Sequence, residues 1–89
     1  LEIVHQKDKN RYILKVKDAT AFVEYSIKNN KMYLTHSEVP ENLRGQGIGK
    51  ILVEKTFEKL TQEGYQAVAV CGYVKIVVQR SEKWKQIIS

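Results

Sequence analysis

An 89-residue chain is the length of one domain, and 43% hydrophobic residues is enough for a core and too many for a disordered polypeptide. No run approaches the ~18 apolar residues of a membrane span, nothing at the start reads as a signal peptide, and the single cysteine has no partner for an internal disulfide; a reducing, cytoplasmic setting is expected. The net charge of +5 suits an anionic partner, but scattered lysines and aromatic residues held in strand patterns argue against a dedicated nucleic-acid surface.

Residues 1–6 read as a short first strand with Ile3 and Val4 as its apolar content, and Asp8-Lys9-Asn10 as a turn. Over 11–17, Tyr12, Leu14 and Val16 alternate with Arg11, Lys15 and Lys17, the pattern of a half-buried strand. Asp18-Ala19 makes the next turn. Over 20–28, Ala21, Val23, Tyr25 and Ile27 share a face. Asn29-Asn30 suits a two-residue hairpin turn, because asparagine accepts positive φ better than most residues. Such a turn sets Lys28 opposite Lys31, Ile27 opposite Met32, Tyr25 opposite Leu34, Val23 opposite His36 and Ala21 opposite Glu38. That register puts His36 and Glu38 on the apolar face, with the imidazole largely buried. Pro40 ends the strand.

A helix is expected from near Gly47 to about Glu63. Ile48, Leu52, Val53, Phe57 and Leu60 cover roughly half its circumference, and Gly64 stops it. Residues 66–71 are apolar on both sides, as in a strand covered on both faces. Strand, helix and strand make a β-α-β unit, so 31–39 and 66–71 should run parallel. Residues 73–80 fit a strand or a short amphipathic helix equally well. Ser81 would cap a final turn carrying Trp84, read as a packing residue.

Gly45, Gly47 and Gly49 alternate between Arg44 and the helix start. Free N–H groups there, with the helix dipole, would cradle an anion over 44–50; the plainer reading is a flexible helix entry. A P-loop is excluded, because Gly45 and Gly49 are separated by three residues and Ile51 follows Lys50 where a hydroxyl would be needed. A dinucleotide fingerprint is excluded, because the glycines are spaced G-x-G-x-G. Arg44-Gly45-Gln46-Gly47-Ile48-Gly49 does match [Q/R]-x-x-G-x-[G/A], and it resembles the acetyl-CoA pyrophosphate loop of GNAT-type N-acetyltransferases. Thr35-His36-Ser37-Glu38-Val39-Pro40 before it and Val70-Cys71-Gly72-Tyr73-Val74 after the helix are similar to segments of the very small GNAT-like proteins. The resemblance extends from about residue 3 to about 87, with two departures: Gly72 stands where that family often has proline, and Ser81-Glu82 replaces its usual Pro-containing step.

The resemblance implies an α/β (α+β), GNAT-like fold over residues 1–89: antiparallel strands, then a β-α-β unit with splayed parallel strands, then a short C-terminal helix. It further implies that acetyl-CoA lies between those strands, its pantetheine along the backbone near Glu38 and Val39 and reaching Cys71 and Tyr73. The pyrophosphate would meet Arg44, Gly45, Gln46, Gly47, Ile48, Gly49 and Lys50.

Ligands of open α/β sheets bind beyond the carboxyl ends of the strands, where His36, Glu38 and Cys71 would meet this cradle. Each has a plainer reading. Cys71 is a small hydrophobe, His36 a satisfied core histidine, Glu38 a solvated strand-end carboxylate and Arg44 a solvated loop charge. The resemblance implies that Cys71 is the thiol, and its His-x-x-Val-Pro pattern falls on His36, Val39 and Pro40. Two routes stay open. Acetyl passes through Cys71 while His36 takes the thiol proton, or an amine attacks acetyl-CoA directly with Glu38 or His36 as base. Two histidines and one cysteine show no metal-ligand spacing. The expected function is acetyl-CoA-dependent N-acetylation of an unidentified small-molecule or protein amine, by a monomer without membrane contact. The alternatives are a CoA-binding module with little or no transferase activity and a small basic nucleic-acid binder.

Overall fold

The computed structural model describes residues 1–89. Five strands form one sheet in chain order: β1 (Ile3–Gln6), β2 (Arg11–Val16), β3 (Ala19–Lys28), β4 (Lys31–Glu38) and β5 (Gln66–Ala69). α1 (Ile48–Gln62) joins β4 to β5, and α2 (Gly72–Gln79) and α3 (Glu82–Ile87) follow. β1 to β4 pair antiparallel, and β4 and β5 pair parallel, as the β-α-β pattern requires. The ambiguous stretch after Cys71 is helix. No helix is long and apolar enough to cross a membrane.

The β3–β4 hairpin closes as its sequence dictates. Asn29 and Asn30 both adopt positive φ, 53° and 65°, and Lys28 faces Lys31. A turn with two left-handed residues matches the twist of the strands it joins. The β2–β3 turn is displaced by one residue from its expected place. Lys17 carries the positive φ of 56°, and Ala19 already pairs with Val16.

The hairpin then departs from its expected register. Tyr25 faces Leu34, but Glu24 faces His36, so Thr35 is the extra residue of a β-bulge. Its hydroxyl donates to the Glu24 carbonyl at 3.4 Å. Beyond the bulge every pair is shifted: Val23 faces Ser37 and Phe22 faces Glu38. The expected pairs Val23–His36 and Ala21–Glu38 do not form. A shift of one residue exchanges the two faces of a strand. Ser37 therefore takes the inner face, while His36 and Glu38 are exposed on the outer one. There the His36 ring lies beside Phe22, with centroids 6.0 Å apart. The straight register would have buried an imidazole and a carboxylate among apolar neighbours, which is costly without partners.

All three helices share one core with the inner sheet face. α1 turns Ile48, Leu52, Val53, Phe57 and Leu60 onto it. Thr56 is buried as well, its hydroxyl donating to the Leu52 carbonyl at 2.8 Å, so its polar atom is satisfied. Trp84 of α3 is a packing residue, its ring 5.2 Å from that of Phe57. Truncating Phe57 to alanine would cost about 3–5 kcal/mol. Ser81 caps α3, its hydroxyl accepting from the Trp84 N–H at 3.1 Å.

β5 is shorter and less covered than expected. Ala67 and Ala69 are buried, Val68 is half-buried and Val70 is exposed. The N–H groups of Val70 and Cys71 both donate to the Leu34 carbonyl, at 3.0 and 2.9 Å, as the chain turns away into α2. The last residue covers the outer edge of β5. Ser89 N–H donates to the Ala67 carbonyl at 3.0 Å, and its carbonyl accepts from Ala69 N–H at 2.9 Å.

A polar cluster ties β1 to the end of α1. His5 Nδ1 lies 3.0 and 3.1 Å from the two Glu63 carboxylate oxygens, and Nε2 lies 2.6 Å from the Tyr25 hydroxyl. Tyr12 donates to Glu63 at 2.8 Å and stacks on His5, with ring centroids 4.0 Å apart. Every buried polar side-chain atom in the protein has a partner.

Candidate functional site

β4 and β5 pair only as far as Leu34 and Ala69, after which β4 runs on to Glu38. The two strands part there, and α1 starts at the opening. A groove of about 400 Å³ lies between the end of β4, the loop before α1 and the first turn of α2. Its lining is Ser37, Val39, Leu43, Arg44, Gly45, Gly47, Ile48, Gly49 and Tyr73.

The glycine loop shapes one wall. Gly45 and Gly47 adopt φ of 81° and 74°, a region that side-chain-bearing residues enter at a cost. Gly47 is the N-cap of α1 and supplies no side-chain cap. The first-turn N–H groups of α1 therefore face the opening without intrahelical partners. No acidic residue occupies that turn, and Arg44 and Lys50 are exposed beside it. Helix dipole, free donors and two cations together suit a diphosphate. Arg44 Nε donates to the Val39 carbonyl at 3.2 Å, fastening the loop to the end of β4, and the Gln46 side-chain amide donates to the Asn42 carbonyl at 3.1 Å.

Cys71 is the N-cap of α2 and is half-buried. Its Sγ lies 3.3 Å from Ser37 Oγ. Burial pushes the thiol up, but hydrogen bonds from the Ser37 hydroxyl and from the backbone N–H groups of Val74, Tyr73 and Ser37 outweigh it and hold the thiol below its ordinary value.

Of the residues expected at the cofactor, Val39, Arg44, Gly45, Gly47, Ile48, Gly49 and Tyr73 meet in the groove. Cys71 adjoins it through Ser37. Gln46 and Lys50 are exposed and outside the lining, and so is Glu38. His36 and Glu38 occupy the outer sheet face, so the structure does not bring the expected imidazole or carboxylate to Cys71. Ser37 stands in the place expected for His36. Two lining residues escaped the sequence reading. Leu43, buried in the short turn Glu41–Leu43, carried a usable signal as a lone apolar residue in a polar loop. Ser37 carried none, because the bulge that turns it inward has no glycine or proline to mark it.

A family model described as GCN5-related N-acetyl-transferase matches residues 11–87. The solution NMR structure of a GCN5-like protein from Staphylococcus aureus superposes with a TM-score of 0.71 at 24% identity, covering 100% of this chain and 88% of that one. At that identity the likeness speaks for the fold.

Proposed function

The chain belongs to the GCN5-related N-acetyltransferase family, and from that premise we propose that it transfers acetyl from acetyl-CoA to an amine. The observation that carries the reading is the uncapped, acid-free start of α1 behind Gly45 and Gly47, opening on a groove with a thiol at its side. When bound there, acetyl-CoA supplies a thioester already activated for acyl transfer. The amides of residues 45–50 would hold its pyrophosphate, aided by Arg44 and Lys50. Ser37 and Val39, which line the groove, would flank its pantetheine. Cys71 is the acetyl acceptor: its thiolate sulfur bonds to the acetyl carbon as the bond from that carbon to the CoA sulfur breaks. The amine nitrogen then forms the amide bond, loses a proton to water and returns Cys71 to its thiolate.

Mass spectrometry after incubation with acetyl-CoA tests this route. The expected result is an acetyl adduct on Cys71 that an added amine discharges. Full amine acetylation by the Cys71→Ser variant would overturn the two-step route and leave direct attack by the amine. A second reading, CoA binding with little transfer, is favoured by one observation: neither a carboxylate nor an imidazole lines the groove. Calorimetric titration with CoA, run beside a turnover assay over a set of amines, separates them. Binding without release of free CoA would support the second reading.

A further inference from the structure

The bulge at Thr35 has a chemical consequence for Cys71. It removes His36 from the inner face and delivers a hydroxyl there instead. We propose that Ser37 is the positioning residue for the Cys71 sulfur, donating its hydroxyl hydrogen to Sγ and so favouring the thiolate at the edge of the groove without an imidazole partner. The proposal rests on the reading of Cys71 as acetyl acceptor and names the group that makes it reactive.

Three observations support it. Ser37 Oγ and Cys71 Sγ are 3.3 Å apart, and either atom is able to donate when the thiol is neutral. Once the thiol is ionised only the hydroxyl has a hydrogen to give, so the contact favours the charged form. Second, Ser37 lines the groove and Cys71 adjoins it through this contact, so the hydroxyl is placed where the sulfur meets the site. Third, Cys71 is the N-cap of α2, so its sulfur sits at the positive end of that helix. Hydroxyl and helix start both favour the charged sulfur.

The charged and titratable neighbours do not replace this arrangement. From β4, His36 and Glu38 lie on the outer face. On α2, Tyr73 and Lys75 are exposed, and in the loop before α1 the Nε of Arg44 is engaged with the Val39 carbonyl. The influences that hold the thiol down are hydrogen bonds.

The chain has one cysteine, so thiol alkylation reads Cys71 alone. The test is the rate of iodoacetamide alkylation against pH in the wild type and in Ser37→Ala, Ser37→Thr and His36→Ala, with folding checked by Trp84 fluorescence. The midpoint is expected to rise by about one pH unit in Ser37→Ala, the size of a lost hydrogen bond to a charged group. It should return to the wild-type value in Ser37→Thr, which keeps a hydroxyl, and stay there in His36→Ala. An unchanged midpoint in folded Ser37→Ala would overturn the proposal, and so would an equal rise in Ser37→Thr or a rise in His36→Ala. The assay needs no acetyl-CoA, so its outcome is independent of the acyl-transfer reading. If Cys71 forms no acetyl adduct yet its midpoint responds to Ser37 as expected, the acyl-carrier role fails and the positioning role stands.

Discussion

The phenol oxygen of Tyr73 lies 3.0 Å from the position that a Cβ on Gly49 would occupy. Gly49 is in the first turn of α1 and Tyr73 in the first turn of α2. Two helix starts therefore approach each other across the groove, and the approach depends on the missing side chain. Gly49→Ala would push the ring aside by a few tenths of an ångström. Alanine favours a helix over glycine by up to about 1 kcal/mol, so thermal stability should hold or rise slightly. CoA affinity, measured by calorimetry, should fall several-fold because the displaced ring changes the groove wall. Unchanged affinity would show that Tyr73 does not shape the site.

Gly47 makes the stronger test of the cradle. Its φ of 74° penalises any side chain by about 1–2 kcal/mol, and glutamate adds a negative charge where the diphosphate is proposed to sit. Gly47→Glu should abolish CoA binding at concentrations that saturate the wild type. Gly47→Asn, which tolerates positive φ and adds no charge, should stay folded and retain measurable affinity. Equal binding by wild type and Gly47→Glu would move the pyrophosphate elsewhere.

The cluster at the far end of α1 predicts a sensitivity to alkali. Burial raises the Tyr12 phenol well above its ordinary value, and its hydrogen bond to Glu63 and that carboxylate's charge raise it further. Burial likewise raises Tyr25. Unfolded tyrosine ionises near pH ~10. A folded value above the unfolded one means that this contribution to stability is whole below pH ~10 and shrinks as pH climbs past it. Tyr12→Phe removes a bond to a charged acceptor, so it should cost about 1.5–3 kcal/mol at neutral pH. It should also flatten the loss of stability above pH ~10. Denaturant unfolding from neutral to strongly alkaline pH measures both; an alkaline limb as steep as in the wild type would remove Tyr12 from the cause.

The hairpin turn offers a fourth check. Asn29 and Asn30 both sit at positive φ. Asn30→Gly should leave stability unchanged or raise it by a few tenths of a kcal/mol, whereas Asn30→Val should cost about 1–2 kcal/mol. Chemical denaturation of the three proteins compares them directly. A neutral Asn30→Val would mean that the turn relaxes to another form.

Much of this protein was legible in the chain itself, because the signals are local. Alternation over 20–28 marked the inner face of β3, and the paired asparagines set the first pairs of its hairpin through Tyr25–Leu34. The spacing of Ile48, Leu52, Val53, Phe57 and Leu60 placed α1, and the alternating glycines marked its open N-terminus. Periodicity works there because each residue's burial follows from its neighbours along the same element. The rest was decided between elements. Whether β4 runs straight or bulges at Thr35 depends on what His36 and Glu38 would meet inside, and no neighbour in the chain carries that information. The bulge exchanged His36 for Ser37 at the inner face. The partners it created are far apart in sequence, Ser37 with Cys71 across 34 residues. His5 and Glu63, 58 residues apart, meet by the same logic. Such contacts arise only when α1 has packed its apolar face on the sheet and brought the ends of β4, β5 and α2 together.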